Sequence, residues 1–130
     1  MSGGDANVTQ PASKLHYLQA ILAEIGKVKG FVAGYDYDAY AANVMAQYAT
    51  ERAILNISEA VRNLEKHARR DDPTFQLATL SPHIAWSNIK GIGNILRHDY
   101  ETVTPSRIWT VVTAHLDGLE AACHEALRQP

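Results

Sequence analysis

The chain has 130 residues, 46% hydrophobic and 20% charged, with a formal net charge of −2; it is long and apolar enough for one hydrophobic core and is not composed like a disordered protein. That charge gives no bulk positive field, so any contact with nucleic acid must be local. The lone cysteine, Cys123, excludes an intramolecular disulfide and a multi-cysteine zinc site, and with no basic, apolar leader and no uncharged run near the roughly 20 residues of a membrane span, a cytoplasmic protein is expected.

Residues 1–12 are small and polar, with Pro11 and paired glycines, and are expected to form a flexible tail before a single helical domain over residues 13–128. Ser13 is placed to cap a helix in which Leu15, Leu18, Leu22, Ile25 and Val28 recur at helical spacing, with Gly30 and Gly34 ending or loosening it. Asp36 and Asp38 then start a long helix reaching about Arg69, its apolar positions including Val44, Tyr48, Ile54, Ile57, Val61 and Leu64. The RRDDPT run breaks it, because Pro73 cannot continue a helix. A short turn of helix is expected near residues 73–77. Ser81 with Pro82, and again Thr104 with Pro105, read as a cap followed by a first-turn proline. They predict a third helix running to about Arg97 and a fourth with Ile108, Val112, Leu116, Leu119, Cys123 and Leu127 inside. No segment alternates as a half-buried strand would. The expected fold is therefore all-α, an antiparallel bundle of four principal helices with a short fifth.

The stretch GIGNILRHDY, residues 91–100, sets four polar side chains at the end of an otherwise apolar helix. At about 100° per residue, Ala85, Ile89, Ile92 and Leu96 form its inner face, and Ser87, Lys90, Gly91, Asn94 and His98 the opposite one. A solvated polar face would look the same. Yet a titratable imidazole beside the permanent cation of Arg97 and the phenol of Tyr100 is a donor group suited to a phosphodiester. Gly91 and Gly93 each cost roughly 1 kcal/mol inside a helix, which suggests close approach by a backbone or ligand.

Asn94, His98 and Tyr100 in GNILRHDY, together with Trp86, Ile89 and Gly91 upstream, Trp109 in VTPSRIW downstream and the helix order, carry a resemblance to the HEPN superfamily. Within it, the chain is similar to the HepT-like toxins of bacterial toxin–antitoxin systems. The segments AGYDYDAY and ERAILNISEAVRNL resemble that family's second helix, with Glu51 and Glu59 at recurrent acidic positions, and the likeness spans roughly residues 14–127. The resemblance implies a metal-independent endoribonuclease that needs no cofactor, acts on RNA as a homodimer with its sites at a shared cleft, and is neutralised by a nucleotidyltransferase antitoxin of the MntA type that AMPylates Tyr100. His98 would move a proton, and an arginine would neutralise charge on the phosphorane.

In that family the residue before the asparagine is usually arginine, and here it is Gly93. Two readings follow. Either catalysis is lost and a dimeric binding or regulatory module remains, or Arg97 reaches back over the space that Gly93 leaves empty. Arg97 projects about 100° from His98, against about 140° for position 93, so the exchange is geometrically open. On this reading Arg97 and His98 are the catalytic pair and Asn94 positions the imidazole or the RNA backbone.

Other candidates are weaker. His67 with Arg69 and Arg70 reads as a charged helix end. His115 and His124 are poorly spaced for a shared metal, so no metal site is expected. Gly91 and Gly93 follow no strand and lack the partners of a phosphate loop. Tyr35, Tyr37 and Tyr40 read as packing residues before they read as a base-stacking platform.

Overall fold

The computed structural model describes residues 13–129, and the tail expected over residues 1–12 lies outside the described residues. The described residues contain seven α-helices and no strand. Helix α1 spans Lys14–Phe31, α2 Tyr37–Ala41, α3 Val44–Asp71, α4 Leu77–Leu80, α5 Trp86–His98, α6 Pro105–Ala114 and α7 Leu116–Arg128. None is long and apolar enough to cross a membrane.

Ser13 caps α1 by accepting the His16 backbone N–H at 3.3 Å, which satisfies one of the unpaired donors at the helix start. Leu18, Ile21, Ile25 and Val28 turn inward, whereas Leu15, expected among them, is 53% exposed. It lies in the first turn of α1. Gly34, at φ +77, supplies the left-handed residue that redirects the chain.

The long helix starts later than its sequence suggests. Asp36 caps only the short α2, accepting from Ala39 N–H at 2.8 Å. Asn43 then caps α3, accepting from Ala46 N–H at 2.9 Å. The interruption is stabilised by side chains: Gln47 Nε2 donates to the carbonyls of Tyr40 and Ala41, each at 3.0 Å. These bonds take over the orphan acceptors at the end of α2. Val44 and Tyr48, expected inside, are 59% and 70% exposed as a result.

With 28 residues, α3 is about 42 Å long and forms the axis of the bundle. It packs α1 on one side and α5 on the other, while α1 also meets α7. Both pairings on α3 are antiparallel. Tyr17 stacks near His67 and Asn56 reaches Glu24 across the first, and Lys90 meets Glu65 while Arg97 meets Glu59 across the second.

Two further boundaries differ from expectation. At Pro73 the chain makes an Asp72-capped turn, Asp72 Oδ1 accepting from Thr74 N–H at 3.0 Å, and the short helix falls at 77–80, not 73–77. Ser81 and Pro82 close that helix and form a turn instead of opening α5. Trp86, buried, donates its indole N–H to the Ser81 carbonyl at 2.9 Å, so α5 begins at the tryptophan. By contrast, Thr104 caps α6 as expected, accepting from Arg107 N–H at 3.2 Å. The last helix breaks at His115, where Thr110 and Thr113 donate back to the Ser106 and Trp109 carbonyls at 3.0 and 2.8 Å, a bonding pattern that bends helices.

Candidate functional site

The site grows from the seam between α3 and α5. Ser58 Oγ and Arg62 Nη2 of α3 both donate to the Lys90 carbonyl of α5, at 3.2 and 2.8 Å. The Lys90 ammonium pairs with Glu65 at 3.0 Å. One turn further along α5, Gly93 is buried against α3, and a Cβ built there would stand 2.6 Å from Ser58 Cβ. The expectation that Gly93 leaves empty space for Arg97 is thus corrected: Ser58 fills it. Gly91, the other glycine expected at a close approach, has nothing within 4 Å of such a Cβ.

Past this contact the exposed edge of α5 carries the predicted site residues. Arg97 donates from Nη2 to Asn94 Oδ1 at 2.8 Å, and its Nη1 forms an ion pair with Glu59 of α3. Arg97 therefore lies across the outer side of the seam, its guanidinium set between Asn94 and Glu59. Asn94 Oδ1 thus accepts from Arg97, and no hydrogen bond joins Asn94 to the imidazole among the described residues. His98 ends α5 exposed, and its ring makes no hydrogen bond or ion pair among the described residues. A cation in this last turn faces the negative end of the helix dipole.

Tyr100 follows in a 3-10 turn over Tyr100–Thr102 and is 61% exposed. With Leu96 it forms one wall of an open groove of about 340 Å³, whose other wall is Tyr48, Glu51, Arg52 and Leu55 of α3. Burial without an ionic partner pushes the Glu51 carboxyl above its usual range. Beneath it, burial and then the charge of Glu51 raise the Tyr40 phenol.

The structure thus joins Asn94 to Arg97 and sets Tyr100 in a groove two residues beyond His98. Glu59, Arg52 and Glu51 complete the surroundings without having been singled out as site residues. For the glutamates the signal was the likeness of their segment to the second helix of the family the sequence resembles, but nothing local in sequence ties Glu59 to Arg97, 38 positions away.

The remaining candidates do not assemble into a site. Tyr40 is fully buried with its ring 5.2 Å from that of Trp109, and the Tyr35 hydroxyl accepts from Asn43, so two of the three tyrosines pack. His67 sits against Arg70 at 3.1 Å near the far end of α3. Cys123 is buried, and its thiol is pushed up to about 12 by burial and then by Glu120. Among the described residues no three His, Cys, Asp or Glu side chains are grouped to hold a metal ion.

The sequence model of the family described as "Ribonuclease HepT-like" matches residues 21–126, a span that includes α3, α5 and the whole groove. The chain is also similar to a protein of Methanocaldococcus jannaschii named "Putative RNase MJ1380", 29% identical over 96 residues that cover 74% of this chain and 80% of that one. No solved structure matches significantly.

Proposed function

The chain belongs to the HepT-like ribonuclease family, and from that premise we propose that it is a toxin that cleaves RNA at the exposed end of α5. The reaction fitting these groups is attack of a ribose 2′-oxygen on the adjacent phosphorus. The 2′-hydroxyl loses its proton, the P–O5′ bond breaks, and the leaving oxygen gains a proton. His98 carries one of these protons, the role an imidazole within reach of the reacting oxygens takes in general acid–base catalysis. Arg97 supplies positive charge to the phosphorane oxygens. Asn94 orients that guanidinium. The observation that carries the reading is the bracing of Arg97 by Asn94 and Glu59 beside an unengaged His98.

One chain offers one histidine at this site, whereas the reaction needs both a base and an acid. A two-fold homodimer would bring a second copy of the motif to a shared cleft. Tyr100 is the control point: an AMP group attached by a nucleotidyltransferase antitoxin would place phosphate charge and bulk in the groove beside His98.

The second reading, an inactive domain that binds partners as a dimer, is favoured by one observation. The family's usual arginine position is occupied here by a glycine packed on Ser58. Incubation of purified protein with RNA in EDTA separates the two. Cleavage by the parent that is lost in His98→Ala and Arg97→Ala supports the ribonuclease; Arg97→Ala cutting as fast as the parent removes Arg97 from the mechanism. No cleavage by the parent leaves the binding module.

A further inference from the structure

We infer that the groove between α3 and the end of α5 holds single-stranded RNA, Arg52 gripping a backbone phosphate and the rings of Tyr48 and Tyr100 stacking on bases. This rests on the ribonuclease reading and names how its substrate is held.

The first observation concerns charge. Arg97 is matched at short range by Glu59, so its field outside the site is largely cancelled. Arg52 lines the groove, is exposed, and makes no hydrogen bond or ion pair among the described residues. Its charge also reaches Glu24 of α1 and helps hold that carboxyl down, but with no hydrogen bond of its own the guanidinium keeps its donors for the bidentate contact that phosphate oxygens offer.

The second concerns the rings. Tyr48 and Tyr100 stand on opposite walls, 70% and 61% exposed. Aromatic rings left this open beside a free cation form the pairing used for single strands, in which bases stack on rings while cations follow the backbone. Tyr48 and Arg52 are four residues apart on one helix, hence neighbours on one face. Leu55 and Leu96 supply apolar lining between the walls. The volume, about 340 Å³, lies at the lower end of small-ligand pockets, which suits one nucleotide unit of a longer strand.

The third separates RNA from a second protein chain as occupant. A dry protein interface would desolvate Arg52 and the half-buried Glu51, and removing such charges from water is costly unless the partner matches them. A nucleic-acid interface stays wet and needs only the phosphate contact. Val44 and Met45, also exposed, do not line the groove.

The test uses a fluorescein-labelled 2′-O-methyl RNA 12-mer of mixed sequence, which has no 2′-hydroxyl to attack, and reads binding by anisotropy across a salt series. Arg52→Gln should bind about tenfold more weakly, with the logarithmic salt slope reduced by about 0.7, the share of one phosphate contact on a single strand. Arg52→Lys should restore most of the affinity. Tyr48→Ala should lose about tenfold by forfeiting a stacked base. Lys66→Gln removes the same charge from the same helix, about 21 Å away, and should bind as the parent does. Equal binding by Arg52→Gln and the parent, or an equal loss in Lys66→Gln, overturns the proposal. So does a change in sedimentation without a change in RNA affinity, which would make the groove a contact between copies. Cleavage is scored separately on unmodified RNA. If Arg52→Gln binds normally while His98→Ala abolishes cutting, only the groove assignment falls; if Arg52-dependent binding persists with no cutting by the parent, only the catalytic reading falls. A parent that neither binds nor cuts removes both.

Discussion

Gly93 and Ser58 lie so close across the α3–α5 seam that a β-carbon on the glycine would stand 2.6 Å from that of the serine. Neither atom is the end of a flexible chain, so a side chain at 93 must push the helices apart. Gly93→Ala should cost roughly 1–3 kcal/mol, the range for overpacking a filled interior. Adding Ser58→Gly should recover part of that loss, although it also forfeits the hydrogen bond to the Lys90 carbonyl. Urea unfolding of the single and double variants measures the coupling; additive losses would mean that the two residues do not compete for one space.

Arg97 answers to Glu59 and Asn94, and the proposed catalysis inherits that dependence. Arg97→Ala should lower kcat about 10²- to 10³-fold, as loss of one charge-stabilising group does. Glu59→Gln leaves the guanidinium in place but less firmly aimed, and should lower kcat about tenfold with little change in KM. A Glu59→Gln enzyme with unaltered kcat would show that the ion pair serves packing alone.

Tyr100 is accessible and walls the groove, so it can receive a modifying group without unfolding. On the proposed control by AMPylation, coexpression with a nucleotidyltransferase antitoxin of the MntA type should add AMP-sized increments to the intact mass, and Tyr100→Phe should abolish them. Increments that survive in Tyr100→Phe would place the modification elsewhere.

Two glutamates give opposite pH signatures. For Glu24 burial opposes ionisation, but hydrogen bonds from Lys27 and Asn56 outweigh it and hold the carboxyl below its usual 4.5. Its stabilisation is present above that value and is lost as pH falls through the lower folded one. Glu24→Gln should therefore be less stable than the parent at pH 7 and show a shallower decline under acid. Glu51 is raised by burial, so its charge opposes folding above the folded pKa and the penalty disappears below the unfolded one. Glu51→Gln should melt higher than the parent at pH 7 and converge with it below about pH 4. Melting temperatures across pH 3–8 read both.

The helical periodicity of the sequence is enough to recover an all-α fold, the inward faces of α1 and α3 beyond their first turns, and the Thr104 cap, because these depend on residues within one or two turns. The Asn43 cap was hidden because Asp36 and Asp38 offered a competing start seven and five residues earlier. Ser81 and Pro82 misled for a related reason: their pattern fits a helix start, but the Trp86 indole reaches back to the Ser81 carbonyl and fixes a turn. At the site, the proximity of Asn94 and Arg97 follows from helical spacing. The Ser58–Gly93 contact and the Glu59 pair do not, since each joins residues at least 35 positions apart and becomes visible only when the two helices are docked.

Cys123 is 1% exposed and its thiol titrates only near 12, which turns the chain's single sulfhydryl into an internal clock for global opening. A thiol-reactive probe should ignore the native protein and label each molecule once, when it unfolds. Labels for distance or binding measurements can accordingly be introduced on a new surface cysteine with the native one left in place.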